Sequence, residues 1–437
     1  MKNEVIKKYL VLFLLGFVAK SIYLLPYIRQ QYYDALIDAT GTTNAQLGLL
    51  MGIYGLINMI LYLPSGWAAD KFSARKLITF SLIITGITGF YYATFPSFAM
   101  IMALHALWAV TTVFTFWSAV IKIVHALGPS GEQGKLFGLW QVGKALGATI
   151  LGFISIPIFS GFGEGVVGLQ ATIIFYSSVN IIFGVICWFV LKDENLIEIG
   201  SKSTFESAED EKILEENKFT IADMKKILKM PRMWIAGIMV LCLYSIGIGS
   251  GMMVPFLTEI MELSETNAAL VGTFSISILF LLGGLVATFF SDKFSSKTKY
   301  ALFGLIGLIL TCGIYLLIPG DPAYLVIFLI NILVAGLIYY CAYSSVFALI
   351  DEFNISKKLS GTAAGLLSFL CYFPEIYGYS TVGALVDNYP GLLGYRLVFG
   401  FMIVNAMIGT IAALVLIKMN KKAKTHTSPT VEIPKRI

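Results

Sequence analysis

Apolar runs of about 20 residues, set apart by short polar stretches, recur along almost the whole chain, and a run of that length crosses the roughly 30 Å hydrocarbon core as a helix. The runs are continuous and do not alternate residue by residue, which favours helices over a barrel. The pattern predicts twelve spans, at 9–31, 44–68, 76–95, 97–122, 134–159, 166–191, 233–258, 267–290, 299–318, 322–349, 359–386 and 395–418. The one long polar stretch, Lys192 to Met230, divides them six and six. The chain therefore reads as a bundle over 1–191, a cytoplasmic linker over 192–230, a second bundle over 231–420 and a tail over 421–437. The linker, acidic and then basic, is expected to be partly helical on the membrane surface. Lys2, Lys7 and Lys8 precede the first run, but no small-residue cleavage site follows it, so it is expected to stay as a helix.

Composition excludes a water-soluble domain: 57% of the 437 residues are hydrophobic, 13% are charged, and the mean hydropathy is +0.81. The net charge of +5 is explained by topology and carries no hint of nucleic acid. Lys71, Arg75, Lys76, Lys293, Lys297, Lys299, Lys357 and Lys358 fall on the side of both termini, while the opposite loops hold little beyond Arg29 and Arg396. Both termini are thus expected in the cytoplasm, with the chain in the cell (inner) membrane. The five cysteines lie inside predicted spans without metal-ligand spacing and read as small apolar filler. "GPSGEQGK" at 128–135 fails as a phosphate loop, because the glycine spacing is one residue too long, Leu136 follows where Ser or Thr is needed, and no strand precedes it. No enzyme site, metal or cofactor is expected, and the chain is expected to act as a monomer.

The two bundles share sequence. "SGWAADKFSARKLITF" (65–80) is answered by "TFFSDKFSSKTKYALF" (288–303), "TTNAQLG" (42–48) by "ETNAALVG" (265–272), and "LLPYIRQQ" at the end of the first span by "MVPFLTEI" at the end of the seventh. Gly66, Asp70, Lys71, Arg75 and Lys76 resemble the loop signature between spans two and three of the major facilitator superfamily. The second copy keeps Asp292, Lys293 and Lys297 but has Thr288 in place of the glycine. The resemblance implies an all-α membrane protein of twelve transmembrane helices in two pseudo-symmetric six-helix bundles, which rock about a central site in alternating access. In that reading Gly66 lets two helices approach, and Asp70, with Arg75 or a helix N-terminus, latches the cytoplasmic side, with Asp292 as its counterpart.

Ionisable groups at mid-depth are costly, at roughly 2.5–3.5 kcal/mol on insertion scales, and three stand out: Lys20, Lys144 and Glu375. Helical spacing sets Lys20 with Tyr23 and Tyr27, Lys144 with Trp140 and Gln141, and Glu375 with Tyr372 and Tyr379. By the resemblance, spans one, five, ten and eleven face the central cavity, which brings these groups together and adds Tyr340 of span ten to the wall. Trp108, Thr111, Thr115 and Ser118 form a stripe on span four suited to the same lining. Two cations against one anion leave positive charge over, and a small anionic solute, a carboxylate, a sulfonate or a phosphorylated sugar, would neutralise it. Glu375 is then the candidate for proton coupling. In the competing reading Glu375 neutralises one lysine and the other snorkels. Two other functions compete: an exporter of neutral or cationic amphiphiles, disfavoured by the lack of a Gly-Pro pair in span five, and a sensor that binds a solute without moving it.

Overall fold

The computed structural model describes residues 2–128, 132–192, 221–353, 355 and 357–427, and every regular element among them is a helix. The expected linker is described only from the short helix Ile221–Leu228 onward, and the tail only as far as Thr427. Spans one to six are Lys2–Leu24, Asn44–Lys71, Ala74–Tyr92, a helix running from Phe98 to Ala126, Gln133–Gly161 and Gly165–Val190. Spans seven to twelve start at Pro231, Glu265, Lys297, Leu325, Lys357 and Leu392. Nine of the described helices are long and apolar enough to cross a membrane on composition alone; spans one, three and eleven fall outside that set.

Three spans expected to be continuous are broken. Span one ends at Leu24, ahead of Pro26, and resumes through a 3₁₀ turn at Ile28–Gln30 and a helix at Tyr33–Thr40. Proline lacks an amide hydrogen and disfavours helical backbone in the residue before it, so the break falls where the sequence puts it. Span seven stops at Ser250 and restarts as Met253–Glu259. Span eleven is interrupted by a 3₁₀ turn at Phe373–Ile376 around Pro374. Spans one and seven, equivalent in the duplication, are thus broken at the same end.

Within the first half, glycines set the helix spacing. A β-carbon on Gly16 of span one would lie 2.7 Å from the Gly143 Cα of span five, so the two backbones touch there. Lys8 reinforces the pair at the terminal end with an ion pair to Glu132 at 2.8 Å, and the Lys8 hydrogen bond and charge hold that carboxyl below its usual range. In the second half, Phe256, Tyr315, Phe328 and Phe399 form one aromatic core, with Phe256 and Phe328 stacked at 4.3 Å.

The halves meet along spans two and eleven and along spans five and eight, mostly at the end away from the termini. A β-carbon on Gly48 would sit 2.4 Å from the Tyr379 backbone, and one on Gly383 2.3 Å from the Asn44 carbonyl oxygen. The Asp387 carboxylate of span eleven accepts from the Asn44 amide (3.0 Å), the Asn44 side chain (2.7 Å) and the Ala45 amide (2.7 Å), and so caps the first turn of span two from the other half. Thr258 donates to Asp34 at 2.6 Å and Thr266 to Glu164 at 2.5 Å, each bond again joining the halves. At the terminal end Lys122 pairs with Asp70 and Thr298 bonds Glu352, each within one half. Among the described residues, the polar and backbone contacts that join the halves lie at the far end, which is shut.

Candidate functional site

The Gly16–Gly143 contact decides where the mid-depth lysines go. Lys20 follows Gly16 by one turn and Lys144 follows Gly143 by one residue, so both side chains leave the same seam. The Lys144 ammonium sits 4.8 Å from the Trp140 ring and 5.2 Å from the Trp117 ring, and the rings lie 5.5 Å apart. Two aromatic faces thus hold one cation in place. The Trp140 indole N–H is buried and has no acceptor among the described residues. Gln141, expected beside it, projects from another side of the helix and is exposed.

Glu375 occupies the break in span eleven and is buried, at 5% exposure. Its Oε1 accepts from the Tyr244 hydroxyl of span seven at 2.5 Å and from the Tyr27 hydroxyl of span one at 3.2 Å. A β-carbon on Gly55 of span two would come within 2.7 Å of the Glu375 Cβ and 3.0 Å of Oε2. The carboxylate therefore sits in a notch of the first half, tied to it by Tyr27. No ion pair joins Glu375 to Lys20 or Lys144 among the described residues. The reading in which it neutralises a lysine does not fit this geometry.

Tyrosines connect the two charged regions. Tyr23 and Tyr27 are 6.4 Å apart, and Tyr27 meets Tyr54 edge to face at 5.5 Å. The Tyr23 hydroxyl donates to the Thr112 carbonyl at 3.3 Å, and Tyr54 shares a 2.8 Å hydrogen bond with the Thr112 hydroxyl. Thr112 and Trp117 both lie in a π-helical stretch, Val110–Trp117, and such wide turns gather at functional sites because they re-aim side chains. On the opposite wall Tyr372 packs edge to face on Tyr244 at 5.1 Å and shares a 3.2 Å hydrogen bond with Tyr343. Tyr340 lies against Tyr339 and Phe280 and lines a separate cavity of about 260 Å³ in the second half, which also borders Tyr244.

The span-four stripe does not line the cavity as expected. Trp108 donates to Thr88, and Thr111 and Thr115 share hydrogen bonds with Thr85 (2.7 Å) and Ser81 (2.6 Å), all on span three; Ser118 bonds Ser65 of span two. These polar groups satisfy one another between helices, which periodicity alone cannot distinguish from facing a cavity.

At the terminal end Asp70 lies 3.8 Å from Lys122, while the Arg75 guanidinium rests over the Trp188 ring at 4.5 Å. Gly66 is exposed, and among the described residues a β-carbon there would meet nothing within 4 Å, so no described helix packs on it. Asp292 falls in the 3₁₀ turn Ser291–Lys293, and its side chain lies outside the described set.

Two six-span halves, shut at one end around buried charges, are the shape of a carrier, and the model of the Major Facilitator Superfamily matches residues 9–379. The chain belongs to that superfamily. It is a multi-pass membrane transporter of the major facilitator fold and not an enzyme. It is similar to two Escherichia coli K12 proteins, inner membrane protein YihN (31% identity over 96% of this chain and 97% of that one) and inner membrane protein YqcE (28% over 91% of each). Among solved structures it resembles a bacterial homologue of the human lysosomal transporter Spinster, in an inward-facing, unoccupied conformation, with a TM-score of 0.70, 15% identity and 98% coverage of both chains.

Sequence reasoning missed several residues of the site. Tyr54 and Tyr244 sit in apolar runs with no charge to flag them, and Trp117 needs the π-helical stretch to turn it toward Lys144. Gly55 had a signal: Gly48, Gly52 and Gly55 recur at helical spacing on span two.

Proposed function

We propose that this superfamily member is a secondary active transporter of a small organic anion, with Lys20 and Lys144 as the anion ligands and Glu375 as the proton-coupling group. One observation carries the reading: among the described residues neither lysine forms an ion pair, and the buried carboxylate of Glu375 is engaged by tyrosines. Two unneutralised ammonium groups at mid-depth are a standing cost that a bound carboxylate, sulfonate or phosphate removes. The free indole N–H of Trp140 supplies one more donor beside Lys144.

The coupling follows from where Glu375 sits. Both phenols donate to the same oxygen of Glu375, so a proton on the carboxyl removes the negative charge that strengthens both bonds and weakens them together. Losing the Tyr27 bond loosens a tie between the halves. Proton occupancy and the choice between the two open states are thereby linked. The relatives named as inner membrane proteins and the run of basic residues at the terminal end support an inner-membrane carrier with both termini in the cytoplasm. On this orientation the end that the contacts between the halves hold shut faces away from the cytoplasm.

Uptake of a radiolabelled organic anion against uptake of a labelled lipophilic cation, in proteoliposomes under an imposed pH gradient, tests the reading. Accumulation of the anion and not of the cation is expected. Accumulation of the cation alone would replace anion transport with amphiphile export, and saturable binding without counterflow would make the protein a sensor.

A further inference from the structure

The sequence pattern puts Arg29 in a loop on the side opposite the termini, but the structure buries it, at 3% exposure, in the 3₁₀ turn that follows the break in span one. Its guanidinium lies between two aromatic rings, 5.0 Å from the centroid of Tyr33 on its own half and 4.9 Å from that of Tyr379 on the other. Nη1 donates to the Leu47 carbonyl at 3.2 Å, while Nη2 is buried with no hydrogen-bond partner. Nor does a carboxylate neutralise the group. The nearby Asp387 is taken up by three donors at the start of span two, and no ion pair to Arg29 occurs among the described residues.

A buried guanidinium with an idle N–H is expensive, and the lasting use of such a group is to meet a ligand. What covers it indicates when. One of its two faces is closed by Tyr379, which belongs to span eleven and to the other half, next to the backbone contact with Gly48 that shuts the far end. If the halves part at that end, Tyr379 leaves with its half, and Arg29 stays on span one with Tyr33 against one face, Nη1 still held by Leu47 and Nη2 uncovered. Planar, permanently charged and bidentate, guanidinium suits an oxyanion better than any other side chain.

We propose that Arg29 is a second anion station, built into the far gate, closed over by Tyr379 in this state and uncovered when that gate opens. This rests on the anion reading of the central site. A solute on the far side then meets Arg29 first, and the lysines of the central seam receive it afterwards. While the gate is shut, the stacking of Tyr33 and Tyr379 on the guanidinium replaces the missing anion.

The test uses the full chain in nanodiscs and the guanidine reagent p-hydroxyphenylglyoxal, with modification of Arg29 read by peptide mass spectrometry and inorganic phosphate and sulfate as the anion probes. Wild type and Tyr379→Phe, which keeps the ring, should react slowly. Tyr379→Ala, or Tyr379→Leu if the alanine variant does not fold, should react at least tenfold faster, and either probe should slow that reaction several-fold, also in a Lys144→Ala background. Slow reaction in the opened variant, or fast reaction that neither anion slows, would overturn the proposal. Fluorescence of Trp117 and Trp140 on adding the same anions reports the central site separately. A fluorescence change without protection of Arg29 would sink this inference alone, while protection without such a change would sink the central-site reading and leave Arg29 standing.

Discussion

The Tyr27 hydroxyl of span one donates to Glu375 of span eleven across the boundary between the two halves, at 3.2 Å, while the shorter bond from Tyr244 stays within the second half. Of the two donors, only Tyr27 ties the halves together. Glu375→Gln is therefore expected to keep the fold, since a neutral amide retains an acceptor for both phenols and no lysine loses a partner. Uphill accumulation driven by a pH gradient should disappear while downhill exchange persists. Tyr27→Phe removes the tie that protonation is proposed to release, and should weaken pH-driven accumulation while raising the exchange rate. A stable Glu375→Gln protein that still accumulates substrate uphill would move the coupling group elsewhere.

At the central seam, Lys20→Ala and Lys144→Ala are each expected to weaken anion binding by at least tenfold, measured by thermal shift or equilibrium binding, because a ligand that binds only the folded state raises its melting temperature. Trp117→Ala should have a milder, few-fold effect. It keeps the ammonium of Lys144 and removes one of the two rings that hold it, and a cation–π contact at a partly desolvated site is worth about 0.5–2 kcal/mol. Unchanged affinity in both lysine variants would take them out of the site.

How much of this was legible in the chain depends on how local the cause is. The spans, the six-and-six division and the duplication all come from hydropathy and repeated motifs, which a single helix displays by itself. Lys20, Lys144 and Glu375 were visible because a charge in an apolar run has no local explanation. Their partners were not. Tyr244 reaches Glu375 from 131 positions away, and only the packing of spans seven and eleven within the second half brings the two together. The sequence puts Arg29 on the side opposite the termini, where it lies, but its burial was not legible, because Pro26 breaks a run that reads as one straight helix and folds the residue inward. The glycines of span two could be read as a small-residue ridge, but which helix they receive is a property of the packed pair.

The terminal-end loop gives a prediction about rate. Asp70 lies 3.8 Å from Lys122 with its side chain largely exposed, and a β-carbon on Gly66 would meet nothing within 4 Å among the described residues. Both are therefore placed to engage the other half when that end closes. Asp70→Asn should leave anion affinity in this state within about twofold and slow turnover at least tenfold, measured as equilibrium binding against counterflow in the same preparation. Wild-type turnover would leave the loop with a topological role only.

The far gate depends on the absence of one carbon atom. A β-carbon at Gly48 would lie 2.4 Å from the Tyr379 carbonyl carbon and oxygen, and because both are backbone, neither can turn aside as a side chain would. Span eleven must therefore move back in Gly48→Ala. Overpacking of this kind costs about 1–3 kcal/mol, and here the cost falls only on the state in which the gate is shut. An equilibrium between two states shifts about 5- to 150-fold for that energy. Gln30 lines the cavity beneath the gate, so a Gln30→Cys reporter and a membrane-impermeant maleimide added from the far side read the opening. Labelling should be slow with Gly48 intact and at least fivefold faster with Gly48→Ala. Gly161→Ala is the control, since a β-carbon there meets nothing within 4 Å, and it should leave the rate unchanged. Equal labelling in all three proteins would mean that the contact between spans two and eleven does not hold the far end shut.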